Sequence, residues 1–242
     1  LNKNRIEGGA ETKPAFMDEN LGLPERLAHL QAVSDPTMEE LISCVLLLFN
    51  PSENEILQAA VLPVLKRAGL RASILLYGKY LSSSGLDVSS VIRISYALSQ
   101  IIESPDIYFL EFFKSDIPRV RQNGVIGLAQ KNDPDFSSAF QIILQNDSDP
   151  ETAFEAAVSL EKLGPQSLKY LEEVLKSDIK ANPQNNANTR PLDDHVISKV
   201  LEVSGEFGNE NTIPYIIPYF SHPDGRVSNS AKEAVLKIKS RV

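Results

Sequence analysis

"SLEKLGPQSLKYLEEVLKSD", residues Ser159 to Asp178, is written a second time in other residues as "SGEFGNENTIPYIIPYFSHP", Ser204 to Pro223. Each passage has a short hydrophobic end, a Gly, a polar turn and helix-like apolar spacing that runs into another turn. A chain that solves the same local packing problem twice is built from repeats.

Working outward from these passages, the chain from about Leu23 onward alternates helix-like segments with short breaks. Apolar residues recur at i, i+3, i+4 and i+7, the spacing of a helix face, and not in the strict alternation of a strand. The breaks are "SDPTMEE" from Ser34, "NPSENE" from Asn50, "NDPDF" from Asn132, "DSDPETA" from Asp147 and "HPDGRV" from His222. Their Asp, Asn, Ser and Thr side chains can accept from the exposed N–H groups of a first helical turn. A Pro that opens a helix forfeits no hydrogen bond.

Aligning Leu98, Leu128, Leu160, Ser204 and Val235, each late in a helix, gives separations of 30, 32, 44 and 31 residues. Projected backwards, the period reaches Val64 and Leu30. Small residues stand one or four positions earlier: Ala97; Gly127 and Gly124; Ala156; Ala234 and Ala231. They let a neighbouring helix approach closely. Two helices per unit and a period in the low thirties predict an α-solenoid, in which stacked units share one continuous core. The long interval places an insertion in "SDIKANPQNNANTRP", residues 177–191, read as a loop between repeats. This loop is either a tolerated surface insertion or a flap that contacts a partner.

The bulk numbers exclude several classes. A formal net charge of −8 opposes general nucleic-acid binding, which needs a Lys/Arg surplus against phosphate, and opposes docking on anionic lipid. The single cysteine, Cys44, forbids an intrachain disulfide and a clustered-cysteine zinc site; in "LISCVLLLF" it reads as a buried thiol. No apolar run reaches about 18 residues, so no membrane insertion is expected. The chain begins at Leu1 and not Met. A cytoplasmic protein and one exported after removal of an upstream segment both stay open. Residues 1–22 are polar, contain Gly8-Gly9 and lack helical periodicity, which predicts a flexible arm unless something docks it.

"DIPRVRQNGVIGLAQ" (Asp116 to Gln130), "DPETAFEAAVSLEKLG" (Asp149 to Gly164) and "DGRVSNSAKEAVLKI" (Asp224 to Ile238) resemble first helices of HEAT-like repeats. The closest resemblance is to the short variety found in phycobilisome-lyase-type proteins, with an Asp/Pro turn, a Val-Arg pair and small residues ahead of a Leu. Val120-Arg121 match the pair, Val227 matches its first position and Thr152-Ala153 depart from it. "GNENTIPYIIPYF" resembles a second helix. The resemblance implies an all-α, right-handed α-α superhelix of the HEAT/armadillo-like solenoid kind. It would have about six helix pairs plus a terminal helix, over residues 23–242. Since such solenoids serve many functions, the resemblance alone names none.

Catalytic patterns are weak. A di-iron hydroxylase is built on HEAT-like repeats with repeated His-Glu pairs, but here Leu30, Val196 and Pro223 follow the three histidines. Asp193, Asp194 and His195 fit a helix start, where acids favour the positive end of the dipole. Gly78-Lys79 is followed by Tyr80 and makes no phosphate loop. HEAT-like DNA glycosylases need a basic, aromatic groove; this chain is acidic, has no Trp, and its densest basic run, Lys66 to Arg71, reads as a helix end. No metal and no cofactor is expected.

The resemblance puts the second helices on a concave face. Aligned on Phe109, Phe140, Leu171 and Ile216, three of them carry a tyrosine one residue earlier, at Tyr108, Tyr170 and Tyr215, while the fourth carries Ala139. With Glu111, Lys169, Glu172 and Glu173 they would form an acidic, aromatic strip for a protein or peptide partner that is basic or amphipathic. The alternative is that these rings only cover seams between repeats. A non-catalytic protein-binding scaffold is therefore the expected function. An enzyme or enzyme accessory on the same scaffold, bilin-lyase-like, is the alternative.

Overall fold

The computed structural model of the chain describes residues 13–50, 52–82, 85–181 and 191–241. The described residues are helical, with no strand, and fall into two compact units, Leu1–Ser104 and Pro105–Val242. The protein is all-α. Thirteen α-helices follow one another among the described residues.

The first unit holds α1 (Leu23–Ala32), α2 (Met38–Phe49), α3 (Glu55–Ala68), α4 (Leu70–Leu81) and α5 (Val88–Ser99). Their starts are set by the polar breaks. Thr37 Oγ1 accepts from Glu40 N at 3.2 Å while Glu40 Oε2 accepts from Thr37 N at 2.7 Å, so two orphan N–H groups at the head of α2 are satisfied together. Asn54 and Asp87 cap α3 and α5. α3 passes into α4 through Gly69 alone, whose φ of +56° lies in the left-handed region that a side chain disfavours. α1 packs on α3, α2 on α3 and α4, and α4 on α5.

Residues 13–22 depart from the expected arm. A 3₁₀ turn over Ala15–Met17 lies against α1, with Phe16 only 2% exposed. Arg26 Nε donates to the Phe16 carbonyl at 2.9 Å, and its two terminal nitrogens donate to the Glu53 carboxylate at 3.0 and 2.6 Å. One apolar anchor and one buried guanidinium fix this stretch, and neither leaves a periodic signal. The rest of the expected arm, residues 1–12, lies outside the described residues.

The second unit holds α6 (Asp106–Phe112), α7 (Pro118–Ala129), α8 (Ser137–Asn146), α9 (Pro150–Leu163), α10 (Leu168–Ala181), α11 (Asp194–Phe207), α12 (Ile213–Ile216) and α13 (Gly225–Lys239). α7, α9, α11 and α13 pack each on the next, and α8, α10 and α12 form a second layer against them. Asp149, Asp193 and Asp224 cap α9, α11 and α13. α12 stops after one turn and continues as a 3₁₀ segment, Ile217–Ser221, because Pro218 has no N–H to extend the α pattern. Residues 177–181 of the expected loop belong to α10, which carries on through Ala181, and residues 182–190 lie outside the described residues.

The repeat positions hold in both units. Leu30, Val64, Leu98, Leu128, Leu160, Ser204 and Val235 fall near the ends of alternate helices, α1 through α13, and all are buried. Phe109 of α6 and Phe140, Leu171 and Ile216 of the second layer are buried as well. The small residues do what their size allows. A Cβ on Gly127 would lie 2.4 Å from the Phe109 ring, one on Gly124 would lie 2.9 Å from the Phe109 carbonyl, and one on Gly205 would lie 2.6 Å from Ala234 Cα.

Candidate functional site

Four of the sequence-predicted residues share α10. Its heptad-like apolar stripe, Leu171, Val174 and Leu175, is buried, which turns Lys169, Tyr170, Glu173 and Lys176 outward. Lys169 Nζ stands 4.7 Å from the centre of the Tyr170 ring. Lys176 Nζ stands 4.7 Å from the Tyr215 ring and 2.7 Å from Glu173 Oε1. The Glu173 hydrogen bond is the main reason the Lys176 ammonium is held above its ordinary pKa, with the nearby Tyr215 and Glu172 adding to it. Tyr170 and Tyr215 are half-buried, so each ring keeps part of its face in solvent.

Glu172 plays a different part from its neighbour. Thr212, wholly buried, donates its hydroxyl to Glu172 Oε1 at 2.7 Å, which ties the approach to α12 onto α10. That bond fixes where the Tyr215 ring sits relative to Lys176. Tyr108 and Glu111 are on α6, where Glu111 pairs with Lys114 at 2.7 Å. The contacts therefore join Lys176, Glu173 and Tyr215 directly, with Tyr170 and Glu172 on the same helix, while Tyr108 and Glu111 form a separate station.

The other sequence candidates resolve into structural parts. Asp193 caps α11 by accepting from His195 N at 2.9 Å, and His195 stacks on Phe154 at 4.2 Å between ring centres. No group of three His, Cys, Asp or Glu side chains among the described residues is arranged to hold a metal ion. Cys44 is wholly buried, and burial, with Glu40 nearby, pushes its thiol pKa up to about 12. No helix among the described residues is long and apolar enough to cross a membrane.

One feature of the surface escaped sequence reading. In α2, Met38, Ile42 and Leu46 are exposed, while Leu41, Cys44 and Leu48 are buried. The signal was present: the second half of α2, Cys44–Phe49, is apolar on every side, and a helix with one buried face does not need that.

No family model matches the chain, and no curated protein matches it. Among solved structures, an engineered protein is similar over 84% of this chain and 98% of its own, at 14% identity and a TM-score of 0.41. Human deoxyhypusine hydroxylase, solved with glycerol, is similar over 84% of this chain and 96% of its own, at 12% identity and a TM-score of 0.32. Both scores are too low to define a shared fold.

Proposed function

We propose that this protein is a non-catalytic scaffold that holds a basic or amphipathic segment of a partner protein along the exposed face of α10 and α12, the second helices expected to line the concave face. The observation that carries this reading is the pair of half-buried tyrosine rings, each facing a lysine ammonium at 4.7 Å. Rings that already attract a cation from their own chain present the negative face of their quadrupole outward. A partner's arginine binds such a face better than lysine does, because its guanidinium is planar and weakly hydrated. Lys169 and Lys176 sit on flexible stems and can yield these places, with Glu173 beside them to pair with the incoming charge. Rigid aromatic anchors of this kind dominate protein interfaces out of proportion to their number.

The test is fluorescence anisotropy with labelled Arg-containing amphipathic peptides. Tyr170→Ala/Tyr215→Ala should weaken binding by about tenfold or more, the loss of two cation–π contacts and their buried area. Tyr108→Ala serves as the comparison on α6. Equal binding by the double variant, with its helicity intact by circular dichroism, would reject this face as the site.

A further inference from the structure

We infer that α2 is the seat of a symmetric contact between two copies of this chain, distinct from the α10–α12 face. Met38, Ile42 and Leu46 stand four residues apart and so form one ridge along the helix, at 50%, 46% and 52% exposure. Beside the ridge runs a trough of about 240 Å³, lined by Ile42, Val45 and Leu46 of α2 and by Leu75, Gly78, Lys79 and Ser82 of α4. A Cβ built on Gly78 meets nothing within 4 Å, so the trough is open where a side chain would otherwise narrow it. A ridge next to a groove on one surface is self-complementary. A two-fold axis drops the ridge of each copy into the groove of the other.

Charge selects the copy as occupant. Glu39 lies in the first turn of α2. Lys79 Nζ lies 5.7 Å from the ring of Phe49, the last residue of α2. The ridge is therefore flanked by a carboxylate at one end and an ammonium at the other, and among the described residues neither forms an ion pair. Antiparallel packing of α2 on its own symmetry mate brings Glu39 of each copy to Lys79 of the other, once at each end of the apolar seam. A foreign helix could also fill the trough, but the seam alone would not fix its direction. Lys13 lines a hollow together with Glu39, Pro14, Ile42 and Ser43, so it can compete for that carboxylate.

Sedimentation velocity of the full chain across a wide micromolar range tests this. The expected result is a concentration-dependent shift to twice the chain mass. Ile42→Glu and Leu46→Glu should abolish it without changing the far-ultraviolet circular dichroism, because both positions are solvent-exposed in the single chain. Glu39→Lys and Lys79→Glu should each weaken dimerisation by about tenfold, through a like-charge contact at each end. The double variant Glu39→Lys/Lys79→Glu should recover to near the original constant. A chain that stays monomeric throughout overturns the proposal. So does a dimer indifferent to Ile42→Glu, and so does a charge swap that fails to restore association.

Discussion

Tyr219 donates its phenol hydroxyl to Asp178 Oδ2 at 2.7 Å, and the other oxygen of the same carboxylate accepts from the backbone N–H of Leu192 at 2.7 Å. One side chain near the end of α10 thus grips both the 3₁₀ segment of the following repeat and the chain entering α11. It thereby ties Asp178 and Leu192 together on either side of the interruption that the sequence marks in the period. Tyr219→Phe leaves the hydrogen bond from Leu192 but orphans one carboxylate oxygen. The expected loss is about 1.5–3 kcal/mol, the range for a hydrogen bond to a charged group. Urea melts of Tyr219→Phe, Asp178→Ala and the pair should be clearly non-additive, since both single changes break the same bond.

The same contact has a spectroscopic consequence. Burial first, and then the adjacent Asp178 carboxylate, push the Tyr219 phenol well above the ordinary tyrosine range. Folding therefore keeps a proton that the unfolded chain loses near pH 10. This contribution is complete below that pH and drains away as pH rises above it. In an alkaline absorbance titration, Tyr219 should form tyrosinate only as the protein unfolds. Tyr219→Phe should remove that late step and leave the earlier ones.

Arg121 and Asp147 form a second inter-repeat clasp. Arg121 Nε and Nη2 donate to the two carboxylate oxygens, each at 2.7 Å, and Nη1 donates to the Ser115 carbonyl at 2.9 Å. The Asp147 side chain is 2% exposed. The hydrogen bonds to Asp147 hold the guanidinium pKa above its usual value. Removing one partner strands the other in the interior, so Arg121→Ala should cost about 3–5 kcal/mol. Arg121→Lys should recover only part of this, because an ammonium cannot make the two-pronged bond and also reach Ser115. Thermal melts of the three proteins decide it.

Glycine replacements should separate by what the missing Cβ would meet. Gly205→Ala drives a methyl into the backbone of α13, which can only move as a helix, so a loss of about 2–3 kcal/mol is expected. Gly127→Ala meets the wholly buried ring of Phe109 and should cost a similar amount. Gly78→Ala meets nothing and should stabilise α4 by about 0.5–1 kcal/mol through helix propensity. Equal effects at all three positions would contradict the packing described above.

What the sequence carried is clear from such positions. The small residues ahead of Leu128 are legible because close helix packing demands them wherever a large ring such as Phe109 sits opposite. The aligned positions from Leu30 to Val235 are legible because burial of an alternate helix repeats with the fold. Three things were not. Phe16 docks by one anchor, which has no period. The exposure of Met38, Ile42 and Leu46 was hidden because apolar residues read as core until a partner layer is seen to be missing. Glu172 is set apart from Glu173 by Thr212, which lies 40 positions from Glu172 in the chain. The tyrosines at 170 and 215 stood out by alignment, but the lysines that cover them are placed by side-chain reach, which spacing does not encode.

Cys44 offers a built-in probe of the first unit. It is the chain's single cysteine, wholly buried, and its thiol is pushed up to about 12, so at neutral pH the folded form presents neither access nor thiolate. Labelling by a thiol reagent should proceed only through opening of the helices around α2, at a rate set by the free energy of that opening. Arg26→Ala releases Phe16 and strands Glu53, whose side chain is 10% exposed. A cost of about 3 kcal/mol corresponds to labelling faster by roughly a hundredfold. Acid should act on the same point. The Arg26 hydrogen bonds hold the Glu53 carboxyl below its usual pKa. Its contribution is whole above the ordinary glutamate range and is lost as pH falls through the depressed value. The wild type should therefore lose stability across that acid window, and Arg26→Ala should show a shallower loss there. Labelling of Cys44 at neutral pH in both proteins, with equilibrium melts down through the acid range, measures both effects. An unchanged labelling rate in Arg26→Ala would mean that the Phe16–Arg26–Glu53 contact does not hold the first unit closed.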